Sequence, residues 1–319
     1  MPNPSPEQLR EIELHAQGTL PNGPPPPTIS HDGITNLQLI AFNELFEVVY
    51  FNELRSNVTN NVEGYQFEDP DEREFVIRAL NAIVAQEELH ALDANNGLKN
   101  FGAEPIEPCT YTFPVSDFYS AIVLAGTFTD LVLGTLQDVV EIFARGGDAG
   151  LARLIASVIG QEGEQQGWYR LRQGKIPSEL PFLTTSDLSF AFTAVQGFTV
   201  PGSCPNIHLI ELQTFHPLTI VTPPGPRTQT ITVSWTALPD HAPELSIAYI
   251  NQLNLPIVEP LHIVSREGDT VVAEALFPYD ENELNGLTIV AVTNSSGPFA
   301  NANAVARSTV FGPGLIIVN

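Results

Sequence analysis

Along the first two thirds of the chain, apolar positions recur every three or four residues, the spacing of one face of an α-helix. Four long segments carry this pattern. The first runs from about Gly33 to Arg55 and lines up Leu37, Ile40, Glu44, Glu47 and Phe51. The second opens where Asp69 can cap, Pro70 fits the first turn and Glu72 completes a capping-box pattern. Its stripe is Val76, Leu80, Ile83, Glu87, His90 and Ala94, and Gly97 and Gly102 mark its end. The third starts at Ser116-Asp117 and runs towards Arg145, where Gly146-Gly147 stops it, with Phe118, Ile122, Ala125, Thr129, Val132 and Leu136 inward. The fourth spans about Asp148 to Gln173 and turns Leu151, Ile155, Val158, Glu162, Gln165 and Tyr169 inward. A shorter helix is expected around Asp187 to Gln196.

The flanks read differently. Pro24 to Pro27 is a four-proline run that favours polyproline II and cannot propagate a helix, so residues 1–30 read as an extended, proline-rich arm. After Pro201 the texture changes. Thr228 to Trp235, Leu245 to Ile250, Thr270 to Phe277, Leu287 to Val292 and Val310 to Val318 are rich in Val, Ile, Thr and aromatics, separated by Pro, Gly, Asn and Asp clusters. Such segments predict short antiparallel strands. The expected fold class is α+β multidomain: an antiparallel four-helix bundle over 31–204, then a β-sandwich-like domain over 205–319.

Composition narrows the partners. Lys plus Arg number 13 against 37 Asp plus Glu, a net charge of −24. So acidic a surface offers no basic patch for phosphates, which argues against nucleic acid and anionic membranes. No run of about 18 apolar residues is present, so no membrane span is expected. Asn57-Val58-Thr59 and Asn294-Ser295-Ser296 are glycosylation acceptor patterns, the first assigned to a loop from Ser56 to Glu68. The only cysteines, Cys109 and Cys204, can form one disulfide, with two buried thiols as the alternative. Together these features point to a secreted, extracellular protein whose leader is not part of this chain.

The chemistry lies in polar residues on apolar stripes. A carboxylate in a bundle core is costly unless it is paired, hydrogen-bonded or metal-bound. Glu87 and His90 form Glu-x-x-His on one helical face, half of a di-metal carboxylate site. Oxygen and imidazole ligands of this kind suit iron or manganese.

The stretch Leu39-Ile-Ala-Phe-Asn-Glu44-Leu-Phe-Glu47-Val-Val-Tyr50-Phe51 resembles the first helix of the ferritin-like domain in desiccation-related and fungal late sexual development proteins. Gln86-Glu87-Glu88-Leu89-His90 is similar to that family's second-helix metal motif. The resemblance covers roughly Ile34 to Cys204, and the β-rich tail is similar to extensions seen in fungal members. It implies a ferritin-like bundle, a stress or developmental setting, and Glu44, Glu87, His90 and Glu162 as metal ligands. Two positions depart from the pattern. The fourth-helix histidine is Gln165, and the third-helix carboxylate falls on Thr129, with Asp130 rotated about 100° off the inward face. Glu47, one turn from Glu44, is a candidate substitute ligand, and Gln165 stays in the candidate metal site because true ferritins tolerate glutamine on the fourth helix. Tyr50 and Tyr169 read first as core packing. Glu88 and Glu164 read as surface charges, and His208, His216, His241 and His262 show no metal-ligand spacing.

Two functions stay open at this point. One is a metal-binding protein, either a weak metal-dependent oxidoreductase or an iron or manganese handler. The other is a non-enzymatic scaffold whose β-domain binds a glycan, a protein or another copy of the chain. A storage cage is disfavoured, because the arm and the β-domain would have to sit outside the shell or between subunits.

Overall fold

The computed structural model describes residues 3–238 and 245–319. Its contacts divide the chain into two compact units that interleave in sequence. The first comprises Met1–Ala125, Val139–Gln165 and Val195–Leu212; the second comprises Gly126–Asp138, Gln166–Ala194 and Gln213–Asn319. Among the described residues there are eight α-helices and two antiparallel sheets.

The long helices are α2 (His31–Thr59), α3 (Pro70–Asn100), α4 (Phe118–Gly146) and α5 (Ala149–Arg172). Their starts are set by caps. Ser30 accepts from the Gly33 amide, Asp69 from the Asp71 amide, and Asp117 forms a reciprocal box with Ser120. Gly147, at φ +84, ends α4 in the left-handed conformation that glycine adopts without strain. Helix α2 is buried nearly all round from Asn36 to Val48, as a central helix must be. Burying Phe42, Phe46 and Phe51 there is worth roughly 1.5–3 kcal/mol each. By length and composition α4 is apolar enough to cross a membrane, but 72% of its most apolar window is buried inside the protein.

The N-terminal segment corrects the sequence expectation. It is not extended throughout, because Pro6–Ala16 forms a helix, α1. Ser5 and Gln8 close a capping box at its start, a Ser-x-x-Gln signal that the proline content obscured. Ile12 and Ala16 pack against Ala85, Leu89 and Leu92 of α3, with Leu20 beside them.

Cys109 and Cys204 form a disulfide, with Cα atoms 4.2 Å apart at a sequence separation of 95. The adjoining backbones pair through Val200 N to Thr110 O and Thr112 N to Phe198 O. Closing a loop of that length stabilises the fold by roughly 4–5 kcal/mol in the chain-entropy picture.

In the second unit, most of α6 (Leu188–Gln196), the short α7 (Tyr279–Asn282) and α8 (Ala302–Ser308) accompany eight strands. They are β1 (Thr219–Ile220), β2 (Gln229–Thr236), β3 (Ser246–Asn251), β4 (Ile257–Pro260), β5 (His262–Glu267), β6 (Thr270–Phe277), β7 (Gly286–Thr293) and β8 (Thr309–Val318). One sheet has the order β1-β2-β6-β5 and the other β4-β3-β7-β8. A single core draws Ile231, Val233, Val271 and Ala273 from the first sheet and Tyr249, Val290 and Val292 from the second. The opposite face of the second sheet packs Ile250, Ile289 and Ala291 against Leu131, Phe190 and Val305. Strand β7 is therefore buried at every position, whereas β2 and β6 largely alternate buried with more exposed residues.

Candidate metal centre

Helical spacing brings the site together within the first unit. Glu44 comes from α2, Glu87 and His90 from one face of α3, and Glu162 from α5. Each offers a ligand atom, and these atoms lie within 4.8 Å of one another. His90 Nδ1 is 2.9 Å from Glu87 Oε2, 3.4 Å from Glu44 Oε2 and 3.9 Å from Glu162 Oε1. The carboxylate side chains are at most 1% exposed, while His90 keeps 16%.

Charge is badly balanced here. Glu47 is buried as well, and it senses Glu87, Glu162, Glu44 and His90, so four carboxylates surround one imidazole. Burial, only partly offset by His90, raises Glu44 to about 7. Burial and then neighbouring carboxylate charge push Glu47 and Glu162 well above the ordinary range. Burial would also raise Glu87, but the charge of His90 and hydrogen bonds from His90, Glu44 and Gln165 hold it below its usual value. Burial opposes the His90 cation, yet Glu87 and Glu44 beside it hold the imidazolium well above its normal range. The protein balances the site with one imidazolium and with protons retained on the raised carboxyls.

Unsatisfied oxygens mark the same place. Glu44 Oε2, Glu47 Oε1 and both Glu162 oxygens are buried without a hydrogen-bond partner. Buried acceptors left in this way cost about 1–3 kcal/mol each, and more when charged. A divalent cation answers both problems, since it supplies positive charge and accepts oxygen and imidazole ligands. The residues present fit such an ion.

Gln165 Nε2 donates to Glu87 Oε1 at 2.6 Å and to Gln86 Oε1 at 3.2 Å, and Gln161 Nε2 reaches the same Gln86 oxygen at 3.1 Å. Gln165 thus fixes the orientation of the Glu87 carboxylate. Thr129 is buried on α4, and its hydroxyl has no hydrogen-bond partner. Asp130 is buried too, in a second polar cluster in which its Oδ1 accepts from Gln166 Nε2 at 2.6 Å. Sequence periodicity did not single out Gln86, Gln161 or Asp93, which flank the α3 and α5 stripes by one position.

The remaining expected residues fall as follows. Tyr50 is a packed core residue whose hydroxyl donates to Ala121 O at 2.6 Å. Tyr169 is fully buried. Asn57 lies in the last turn of α2 and is half-buried, not in a loop, because the helix continues to Thr59. Asn294 is exposed just after β7. Glu164 is exposed and Glu88 half-buried. His208, His216 and His262 are exposed and belong to no ligand cluster among the described residues, and His241 lies outside those residues.

Comparison with family models finds no match, and comparison with curated protein sequences finds none either.

Proposed function

We propose that Glu44, Glu87, His90 and Glu162 hold a divalent transition-metal ion, iron or manganese, inside a ferritin-like bundle formed by α2 to α5. The observation that carries this reading is the set of buried carboxylate oxygens without partners around a single imidazole. Glu47 stands ready as a further oxygen ligand, and Gln165 fixes Glu87. When bound, such an ion would supply one-electron redox chemistry towards dioxygen or peroxide. The chain's own part is to exclude bulk water from three carboxylates, hold the His90 ring against them and balance the charge of the ion. The Cys109–Cys204 disulfide supports placing the protein in an oxidising, extracellular setting.

Thermal melting with and without metal tests the proposal. Fe(II) or Mn(II) should raise Tm, and a chelator should reverse the gain. An ion at a hundred times its Kd adds about 2.7 kcal/mol to the folded state. A melting curve that ignores both ions and the chelator would leave a proton-sharing network inside a scaffold as the better reading, with function sought in the strand-rich unit.

A further inference from the structure

His90 is the one member of the cluster that is not sealed from solvent, and its surroundings on α3 are asymmetric. On the N-terminal side, Gln86 closes the groove between α3 and α5. Its Oε1 accepts from Gln161 and Gln165, and its Nε2 reaches Ala16 O. On the C-terminal side, one turn beyond His90, Asp93 opens onto a cleft of about 840 Å³. Leu37, Leu154 and Gly97 line it with apolar surface, and Asn96, Asn100 and Ser157 add oxygen-bearing side chains.

The remaining wall is the proline run, which is anchored at both ends. Leu20 packs with α1 against α3, and Ser30 Oγ donates to Asp148 Oδ2 at 2.6 Å. Proline fixes φ and offers no amide donor, so Pro24 to Pro26 form a stiff rim with only carbonyls to present. Asp93 is half-buried and accepts no hydrogen bond among the described residues. Asp93 follows His90 by three residues on α3, so the two side chains lie on one helical face.

We infer that this cleft is the route by which a divalent cation reaches the four-residue cluster, and that Asp93 is the carboxylate that receives the ion on its way to His90. The inference rests on the metal-centre reading above. A chain with a net charge of −24 draws cations towards any opening, and a carboxylate in the lining focuses them. Arg153 is exposed and is the one basic side chain in the lining; it opposes the passing ion. Two neighbours of opposite sign thus set the rate of loading without serving as ligands.

The test is stopped-flow uptake of Co(II), followed by its d–d absorption, into the metal-free full chain at low ionic strength, with equilibrium stoichiometry measured alongside. Asp93→Asn should slow uptake several-fold, Arg153→Gln should speed it by a similar factor, and both should bind the wild-type number of ions. Added salt should shrink the two effects together. Uptake at the wild-type rate in both variants would overturn the route while leaving the metal centre standing. Loss of ions at equilibrium in Asp93→Asn would also overturn it, because Asp93 would then be a ligand. Failure of the wild-type chain to take up Co(II) at all would remove the metal centre and the route together.

Discussion

Two buried polar clusters, one in each unit, are built from the same residue types and balanced in different ways. In the first, Glu44, Glu47, Glu87 and Glu162 surround a single imidazole, and several carboxylate oxygens lack partners. In the second, Asp130 and Glu179 have a buried arginine for company. Arg170 lies 3.8 Å from Glu179 Oε1, donates through Nε to Ile176 O at 2.7 Å, and reaches Asn319 Oδ1 at 3.2 Å. Burial and the Glu179 charge still push Asp130 well above its usual range, so a proton completes what Arg170 begins. Both clusters leave buried oxygens without hydrogen-bond partners, Asp130 Oδ2 and both Glu179 oxygens in the second, but the second holds a permanent guanidinium cation and the first only an imidazolium. The first cluster, with the weaker cation and more carboxylates, is the one that could hold a metal ion.

The comparison is open to breakage by substitution, and the largest effect belongs to the second cluster. Arg170→Met strands two buried carboxylates and should cost about 3–5 kcal/mol in chemical denaturation, with no compensating gain from added metal. An unchanged midpoint would show that the arginine is not what balances that cluster.

Next comes Gly286, whose φ is +65 and where an added Cβ would meet Glu179 Oε1 at 2.5 Å. Gly286→Ala should destabilise by roughly 1–3 kcal/mol through left-handed strain and displacement of Glu179. Denaturation that matches wild type would mean that Glu179 has room to move and that its position is not fixed by this contact.

Glu162→Gln in the first cluster should act with the opposite sign. At pH 8 the metal-free variant should gain about 1–2 kcal/mol, because an amide cannot ionise where burial and neighbouring carboxylates oppose the charged form. The same variant should lose most of the metal-induced rise in Tm. A metal-free protein destabilised by this change would mean that Glu162 is already satisfied, and the contrast between the clusters would fail.

Smallest, and spread over several groups, is the pH response. Glu44 titrates near 7 in the folded protein against an ordinary value of 4.5, so the folded state holds that proton more tightly. The resulting stabilisation is complete below about 4.5 and is lost as pH rises through 7. Glu47, Glu162 and the raised His90 act in the same direction. Glu87, lowered, acts oppositely, but only as pH falls below the ordinary carboxylate range. Metal-free protein should thus lose stability between pH 5 and 8. Metal-loaded protein should gain it there, since protons and cation compete for the same oxygens. Parallel pH profiles for the two forms would argue against the cluster as the binding site.

Much of this was legible in the sequence, because helical periodicity is a local property. The stripes through Glu44, Glu87, His90 and Glu162 placed these residues inward from spacing alone, and the structure gathers them within 4.8 Å. Helix α1 was hidden by the prolines around it, although Ser5 and Gln8 carried its capping signal. Strands β4 and β5 were missed because their burial is shallow and their apolar alternation weak. The environment of Asp130 was not readable either. Periodicity shows that it leaves the stripe of Thr129, but the partners that bury it, Gln166, Arg170 and Glu179, lie 36 to 49 residues further along the chain. The interleaving of the two units has the same origin, since it depends on long-range packing that no local pattern records.

Elemental analysis is the most direct test of the metal centre. The protein would be purified without chelators or added metal and measured before and after incubation with Fe(II) or Mn(II), beside a Glu87→Ala/His90→Ala variant. At least one tightly held ion per chain in the wild type, absent from the variant, is the result expected. A wild-type chain that holds no metal under either condition would contradict the account, and would make the first cluster a proton-sharing network like the second.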